Sequence, residues 1–299
     1  MSRRPRMLFD DDVRARLTPE LAVAGARRAL VDAHRGELQA PPRVQADLGE
    51  RALVFTAGGL PDGSAGFRAY QAGAGASDQV VVLWDADGGL SGCVAGVELG
   101  AARTGALGAA AAGALALPGA GVVGVVGSGR QAWTQLWALT AVRRIAQVRV
   151  FSPTAANRER FAERARAELG LAASAVPGPR EAVGGAGIVI LATRSEAPVI
   201  DAAWVGPGAH VTTVGPKAAG ACETPPGLAE AAAVVVSDSP AQAAAYGAPF
   251  FTPRELVHLG AVIAGDAPGR TGESDITLYA STGLAGSEVV IAQMLLDGG

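Results

Sequence analysis

Charged residues, cysteine and histidine are all scarce in this chain. Charged residues make up 18% of the 299 residues and hydrophobic residues 49%, with a formal net charge of −3 and a pI near 5.7. A disordered chain needs a higher charged fraction, and a nucleic-acid-binding protein needs clustered Lys and Arg to neutralise phosphates. The composition therefore predicts a globular protein whose partner is a small molecule and not a nucleic acid.

Sulfur and imidazole ligands are too few and too scattered for a metal site. Cys93 and Cys222 have no CxxC spacing and no histidine pair nearby, whereas a disulfide framework or a zinc site needs such groupings. His34, His210 and His258 are equally scattered. We therefore expect no metal, and we interpret the histidines as surface or packing residues.

No segment has the pattern of a targeting peptide or a membrane span. Residues 1–12 contain early arginines but run into three aspartates without an apolar stretch, which predicts a cytoplasmic location. The most apolar region, residues 99–126, is interrupted by Arg103, Pro118 and several glycines. We therefore expect no membrane partner.

The first third of the chain predicts a helix, an antiparallel meander and a second helix. Thr18-Pro19-Glu20 is typical of a helix start, and this helix should run to about residue 36. Strands rich in β-branched and aromatic residues are separated by Gly, Asp and Pro turns, with a hairpin signal at residues 85–89. The predicted strands are residues 51–57, 66–72, 79–84 and 90–97, and an alanine-rich helix follows from residue 99 towards Pro118.

Beyond Pro118 the pattern changes to alternating strands and helices. This alternation predicts an α/β fold with a Rossmann-type, doubly wound parallel sheet. The first predicted helix of this part covers residues 133–142. The predicted strands are residues 121–126, 147–151, 187–192, 210–214 and 233–237.

A glycine turn joins the first of these strands to its helix. In Gly127-Ser128-Gly129-Arg130-Gln131-Ala132, the first glycine permits a tight turn, the second lets the backbone approach a pyrophosphate, and the alanine allows close helix packing. The helix amide groups and dipole then hold the anion. The strand, turn and helix together predict a dinucleotide cofactor rather than a purely structural turn.

The end of the next strand indicates which dinucleotide is preferred. A NAD-selective site usually places an acid there, but this chain has Ser152, followed by Thr154, Asn157 and Arg158. Hydroxyls, an amide and a cation suit a 2′-phosphate better than a bare hydroxyl. We predict that NADP(H) is preferred and NAD(H) possible. The alternative is that Arg158 is only a solvated helix residue.

An ordered set of short motifs resembles a known family. They are Arg103-Thr-Gly-Ala106, Gly127-Ser-Gly-Arg-Gln-Ala132, Ala192-Thr193, Pro207-Gly-Ala-His-Val211 with Val214-Gly215, and Thr282-Gly-Leu-Ala285. Their order and spacing resemble the ornithine cyclodeaminase and mu-crystallin family, which includes ketimine reductases and alanine dehydrogenases. The resemblance covers nearly the whole chain.

The resemblance implies a discontinuous architecture and a homodimer. Residues 1–117 would begin an α+β substrate-binding and dimerisation domain, residues 118–272 would form the Rossmann dinucleotide-binding domain, and residues 273–299 would return to the first domain. The apolar run at residues 288–296 is interpreted as an amphipathic closing helix.

The resemblance also implies site residues. Arg43 and Arg103 would grip a substrate carboxylate, since the planar fork of arginine meets a carboxylate bidentately. The alternatives are an exposed strand-end charge for Arg43 and a helix surface charge for Arg103. The implied cofactor-binding residues are Thr104, Gly127, Ser128, Gly129, Arg130, Gln131, Ser152, Thr154, Arg158, Ala192, Thr193 and Val214.

Two positions depart from the family pattern. The catalytic lysine of the family aligns with Arg68, which can hold an anion but cannot lend a proton near neutral pH. The family aspartate aligns with Lys217. A partly desolvated lysine near arginines would have a lowered pKa and can serve as a proton donor, so we predict catalytic roles for Lys217 and Arg68, the latter also binding substrate. The alternative for Lys217 is a loop lysine pointing to solvent.

The sequence leaves three functions open. The first is an NAD(P)H-dependent oxidoreductase acting on a C=N or C–NH bond of a small carboxylate-bearing substrate, of the imine or ketimine reductase or amino-acid dehydrogenase type, and we favour it. The others are an ornithine cyclodeaminase-like lyase and a non-catalytic NADP-dependent ligand-binding protein. Substrate specificity is expected to depend on the loops at residues 73–78 and 218–226.

Overall fold

A computed structural model describes residues 4–72, 78–246 and 248–298. The chain divides into two compact units. Unit 1 is Met1–Arg103 with Gly283–Gly299, and unit 2 is Thr104–Thr282. The sequence prediction places its domain boundaries after residues 117 and 272. The helix that begins at Glu98 crosses the first division between the units, and the last strand belongs to unit 2.

The secondary structure alternates as the sequence pattern indicates. The strands are β1 (Arg6–Leu8), β2 (Val44–Leu48), β3 (Arg51–Gly59), β4 (Ala65–Ala72), β5 (Gln79–Trp84), β6 (Leu90–Gly96), β7 (Val122–Val126), β8 (Gln147–Phe151), β9 (Ala173–Ala175), β10 (Ile188–Leu191), β11 (His210–Thr213), β12 (Lys217–Ala218), β13 (Ala221–Cys222), β14 (Ala232–Ser237), β15 (Val257–His258) and β16 (Ile276–Ala280). The helices are α1 (Asp10–Arg16), α2 (Pro19–His34), α3 (Glu98–Leu115), α4 (Arg130–Leu139), α5 (Ala155–Leu169), α6 (Pro179–Val183), α7 (Leu228–Ala231), α8 (Pro240–Ala244), α9 (Leu259–Ala264) and α10 (Ser287–Asp297). Within the described ranges, no helix is long and apolar enough to cross a membrane.

Unit 1 contains the predicted meander. Its strands lie in the order β1-β6-β5-β4-β3-β2, antiparallel throughout except for β1, which pairs parallel with β6. Thr18 caps α2 as predicted, since its hydroxyl accepts a hydrogen bond from the Leu21 N–H at 3.2 Å. The short elements α1, β1 and β2 were not predicted, because each is too brief to show a periodic pattern.

Helix α10 packs against α2 and against one face of the meander. The interpretation of this segment as amphipathic is wrong, because every residue from Ser287 to Leu296 is buried or half-buried. A helix that meets a sheet and another helix needs apolar side chains on most of its sides.

The other face of the meander is apolar and half-exposed. It carries the side chains of Phe55, Phe67 and Trp84 on three adjacent strands. The rings of Phe55 and Phe67 lie 6.4 Å apart and those of Phe67 and Trp84 lie 5.7 Å apart. At the edge strand β2, Val44 and Leu48 are exposed.

Unit 2 is built on a parallel sheet with strands in the order β15-β14-β16-β11-β10-β7-β8-β9. Apolar clusters cover both faces of this sheet, which is the arrangement of a doubly wound fold. The strand order reverses between β7 and β10, so the carboxyl ends of these two strands form the switch point at which such folds bind ligands.

His210 is a packing residue, as predicted. It is fully buried in β11, and its Nδ1 lies 2.9 Å from the hydroxyl of Thr277. Burial, together with the positive charges of Arg270 and Arg143, lowers the pKa of His210 to about 3. The ring therefore stays neutral, and its contact with Thr277 joins β11 to β16.

Candidate functional site

The glycine turn of unit 2 has the geometry that the sequence predicts. Gly127 has a φ of 118°, and a Cβ at this position would overlap the carbonyl oxygen of Ala192. Gly129 ends the turn with an ordinary φ of −86°, and no described atom lies within 4 Å of where its Cβ would stand. Ala132 is fully buried in the core. The turn is therefore tight at Gly127 and open at Gly129.

Helix α4 begins at Arg130, directly after this turn, and not at Trp133 as predicted. The earlier start aims the first free amide groups of the helix at the open side of Gly129. Arg130 is exposed. The Oε1 atom of Gln131 is buried and accepts no hydrogen bond from any described residue. Open backbone, helix amides and a partnerless amide oxygen fit a bound dinucleotide.

Side chains that follow β8 contact the same turn. Ser152 is buried, and its hydroxyl accepts a hydrogen bond from the Ser128 hydroxyl at 3.0 Å and donates to the Thr154 carbonyl at 3.3 Å. Arg158 is half-buried and donates from Nη1 to the Ser152 carbonyl at 3.0 Å. The alternative of a fully solvated Arg158 does not hold, because its guanidinium is attached to the strand end.

A buried carboxylate ties together the ends of β10 and β11. Thr193 and Val214 follow these two strands, and both donate their backbone N–H to the side chain of Glu223, at 2.8 Å and 3.1 Å. Glu223 is fully buried. In α3, Thr104 is buried, and its carbonyl accepts a hydrogen bond from Gln135 at 2.9 Å.

Lys217 is the only lysine of the sequence. It lies in β12, which forms a small hairpin with β13, and its Nζ donates to the carbonyl of Gly215. The side chain does not point freely to solvent, since Lys217 is only 9% exposed. A buried amine of this kind is a candidate proton donor.

Arg68 and Arg103 share one buried carboxylate in unit 1. Arg68 donates from Nη1 to Oε1 of Glu288 at 2.6 Å, and Arg103 donates from Nη2 to the same oxygen. Arg68 also donates from Nε to Gln79 at 2.8 Å, and its guanidinium lies 4.2 Å from the ring centre of Tyr70. Arg103 is only 6% exposed, so it is not a helix surface charge.

Burial and charge attraction oppose each other in this group. Burial alone would raise the pKa of Glu288, but the positive charges of Arg103 and Arg68 outweigh it, and the pKa lies below its usual value. Burial also lowers the pKa of Arg68, against the opposing effect of Glu288. The group therefore holds two guanidiniums around one carboxylate and keeps a net positive charge.

Arg43 extends this group through Gly283. A Cβ on Gly283 would lie 3.4 Å from Nη1 of Arg103 and 3.4 Å from Nη2 of Arg43. Gly283 has a φ of 88°, a backbone conformation that favours glycine. The two guanidiniums therefore approach the same glycine, which leaves the space that a side chain would fill. Arg43 is half-buried and not a fully exposed strand-end charge.

The loop at residues 218–226 borders a cavity of about 280 Å³, which Phe251 also lines. Residues 73–77 of the other predicted specificity loop lie outside the described residues.

The sequence reasoning missed Glu223 and Glu288. Only Glu288 offered a signal, since it is a charge at the start of an apolar run.

Comparisons with known proteins agree with this architecture. The profile of the ornithine cyclodeaminase/mu-crystallin family matches residues 5–298. An uncharacterized cyclodeaminase of Sinorhizobium fredii is 37% identical over 182 residues, which cover 56% of this chain and 53% of that protein. The chain thus spans about half the length of this relative. The iminosuccinate reductase of Paracoccus denitrificans is 29% identical over 225 residues, 73% of this chain and 69% of that protein.

Solved structures match over nearly the whole chain. The iminosuccinate reductase of Paracoccus denitrificans in complex with NAD+ has a TM-score of 0.88 at 26% identity, covering 99% of this chain and 96% of that chain. An archaeal alanine dehydrogenase dimer with bound NAD has a TM-score of 0.85 at 25% identity, covering 98% and 95%. The predicted fold class, a Rossmann-type sheet with a second α+β domain, is confirmed.

Proposed function

Because the chain belongs to the ornithine cyclodeaminase/mu-crystallin family, we propose that it is an NAD(P)H-dependent oxidoreductase that acts on a C=N or C–NH bond of a small carboxylate-bearing substrate. The observation that carries this proposal is the pair of guanidiniums, Arg43 and Arg103, that approach Gly283. Two arginine forks that converge on one position suit a carboxylate. The names of two matched proteins, an iminosuccinate reductase and an alanine dehydrogenase, agree with a substrate of this class.

The cofactor part of the proposal rests on unit 2. The open side of Gly129 and the amide groups at the start of α4 would hold the pyrophosphate region, the Oε1 atom of Gln131 could accept a hydrogen bond from a cofactor hydroxyl, and the ends of β10 and β11 would hold the nicotinamide region. The matched structures contain NAD. When bound, a reduced nicotinamide supplies the hydride that the substrate carbon accepts.

The residues of this chain supply binding and a proton. Arg43 and Arg103 would orient the substrate by its carboxylate, while Glu288 holds Arg103 in place. Lys217 would give a proton to the substrate nitrogen from Nζ, which now donates to a backbone carbonyl. Arg68 cannot share this task, because a guanidinium keeps its proton near neutral pH, and its bond to Glu288 supports a binding role.

Product analysis tests the proposal against its alternatives. The purified protein, with NADH or NADPH and a cyclic or open-chain imino acid, should consume the reduced cofactor and form the amino acid. Ammonia release from ornithine without net cofactor oxidation would indicate a lyase instead. A nucleotide that binds but is never oxidised would indicate a non-catalytic binder. We expect no cyclodeaminase activity, because arginines Arg43, Arg68 and Arg103 repel a cationic substrate.

The solitary lysine gives a sharper test of its role. Lys217→Ala should lower kcat by roughly 10²–10⁴-fold, the range for a lost general acid, with little change in KM. Since no other lysine exists, an amine-reactive reagent can modify only Lys217 and the chain terminus, and substrate with cofactor should slow modification at Lys217. A Lys217→Ala variant as active as the parent would mean that the proton comes from another group. Arg180→Ala, at an exposed cation of α6 in the same unit, is the control.

We further propose that NADP(H) binds more tightly than NAD(H). Its support is the absence of an acid at Ser152 and the position of Arg158, whose Nη1 donates to the Ser152 carbonyl and whose guanidinium lies 5.8 Å from the ring centre of Phe151. Arg158→Ala should weaken NADPH binding by about 1–3 kcal/mol and leave NADH binding almost unchanged. Fluorescence titration of both reduced cofactors measures this, and equal affinities in the parent protein would contradict the preference.

A homodimer is the proposed assembly. The half-exposed face of the meander, with Phe55, Phe67 and Trp84, is the surface that we assign to a second copy of the chain. An alanine dehydrogenase with a similar structure is described as a dimer. The cytoplasmic location stays a prediction from the sequence.

A further inference from the structure

We propose that Glu223 is a positioning residue that sets the nicotinamide half of the cofactor site, an inference that rests on the proposed function. Glu223 lies between β13 and α7 and has no exposed surface. Neither the sequence pattern nor the predicted set of cofactor residues contains it. Its carboxylate nevertheless contacts two members of that set, Thr193 and Val214.

Both carboxylate oxygens of Glu223 are fully engaged. Oε1 accepts from the Thr213 hydroxyl at 2.8 Å, from the Val214 N–H at 3.1 Å and from the Gly215 N–H at 2.6 Å. Oε2 accepts from the N–H of Thr193 at 2.8 Å and from its hydroxyl at 2.7 Å. Three of these donors are backbone groups of two loops that follow neighbouring strands, so one side chain sets the relative position of both loops.

The location of these two loops indicates which half of the cofactor Glu223 affects. They follow β10 and β11, on the far side of the switch point from β7 and β8. In a doubly wound sheet the two halves of a dinucleotide lie on opposite sides of this point. The Gly127 turn and Ser152 belong to the adenosine side, and Thr193 and Val214 therefore belong to the nicotinamide side.

Glu223 also reaches the proposed proton donor. The carbonyl of Gly215 accepts a hydrogen bond from Nζ of Lys217, while the N–H of the same residue is bound to Glu223. A Cβ on Gly215 would overlap both the Glu223 carboxylate and the Thr193 carbonyl. The backbone of Gly215 is therefore hydrogen-bonded through both its N–H and its carbonyl. Through Gly215, Glu223 is connected to Lys217 as well as to the two nicotinamide loops.

A carboxylate is required because every contact needs an acceptor. An amide in its place presents one N–H₂ group, which can only donate. The hydroxyls of Thr193 and Thr213 can rotate to accept from it, but the backbone N–H groups cannot. Glu223→Gln therefore leaves at least one buried backbone donor facing another donor, while size and shape are kept.

Binding of a whole cofactor and of its adenosine half separates positioning from general stability. We would measure by calorimetry the Kd of NADH and of ADP-ribose, or of NADPH and 2′-phospho-ADP-ribose if the parent prefers them, for the parent, Glu223→Gln and the control Glu230→Gln. Glu230 is exposed on α7. Glu223→Gln should weaken the whole cofactor by about tenfold or more, which corresponds to about 1.4 kcal/mol. ADP-ribose should bind within about twofold of the parent, as should both ligands to Glu230→Gln.

If Glu223→Gln weakens the binding of the whole cofactor and of ADP-ribose to the same extent, Glu223 is a general structural residue and the inference is overturned. Unchanged binding of both ligands would also overturn it. If Glu223→Gln does not fold, Thr213→Val removes one donor with little change in shape, and it should weaken the whole cofactor by about twofold to fivefold, again without effect on ADP-ribose. Unchanged binding to Thr213→Val would then count against the proposal. A parent protein that binds neither ligand would instead refute the proposed function itself.

Discussion

Glu288 is the side chain on which the arginine group of unit 1 depends. It accepts hydrogen bonds from Arg68 and Arg103 and is only 1% exposed. Its place in the first turn of α10 adds the favourable end of the helix dipole. Two guanidiniums can therefore be buried close together without a substrate present.

Removing this carboxylate should be costly to stability. Glu288→Gln leaves two buried cations without a counter-ion, and we expect the free energy of unfolding to fall by about 3–5 kcal/mol. Because the pKa of Glu288 is lowered in the folded state, its contribution is present above about pH 4.5 and is lost as the pH falls further. The difference between parent and variant should therefore shrink below that pH.

Urea unfolding of the two proteins at several pH values measures this difference. A matched control is Glu98→Gln, since Glu98 also lies in the first turn of a helix and also pairs with an arginine, Arg14, but at the surface. That variant should lose less than about 1 kcal/mol. Equal losses in the two variants would contradict the role given to Glu288.

The turn between β7 and α4 contains two glycines with different roles, one in folding and one in ligand binding. Gly127 is needed for folding, because its φ of 118° and the nearby Ala192 carbonyl exclude a side chain. Gly129 has a φ that any residue adopts and open space at its Cβ position. Its glycine is explained by a ligand that must approach the backbone closely.

Alanine at these two positions should therefore act differently. Gly127→Ala should lower the free energy of unfolding by about 2–5 kcal/mol, from backbone strain and overlap. Gly129→Ala should change it by less than about 1 kcal/mol but weaken cofactor binding at least tenfold. Thermal unfolding and cofactor titration on both variants check this, and a Gly129→Ala variant with parental affinity would argue against a pyrophosphate at this turn.

The chain as a whole leaves unit 1 through α3, forms unit 2, and returns to unit 1 at Gly283. In unit 1, α10 covers one face of the meander and packs against α2, while the face with Phe55, Phe67 and Trp84 stays half-exposed. An apolar face of this kind is unfavourable in water unless another surface covers it.

We therefore expect a dimer that a charge on this face disrupts. Phe55→Asp should shift the protein from dimer to monomer at micromolar concentration, because burying an unpaired carboxylate costs several kcal/mol. Light scattering measures the mass in solution. Tyr246→Asp, at an exposed aromatic residue of unit 2, should leave the mass unchanged. A monomeric parent, or a dimeric Phe55→Asp variant, would place the interface elsewhere or remove it.

Local patterns were sufficient for much of the fold. The Thr18 cap, the strands of the meander and the turn at Gly127 were predictable because each depends on neighbours within a few positions in sequence, where propensity, periodicity and turn chemistry act. The short strands β1 and β2 were not, since their pairing with β6 and β3 decides them more than their own few residues.

The residues of the candidate site also divide into those that local motifs indicate and those that only distant contacts reveal. Arg43, Arg68, Arg103 and Lys217 were found through motifs, but their partners were not. Glu288 lies 220 residues from Arg68 in sequence, and Glu223 lies 30 residues from Thr193. Burial of a charge is stable only when a counter-charge or donors lie within hydrogen-bonding distance, and no spacing rule encodes which distant residue packing brings there. Which arginines and loops these two carboxylates contact was therefore decided by tertiary structure.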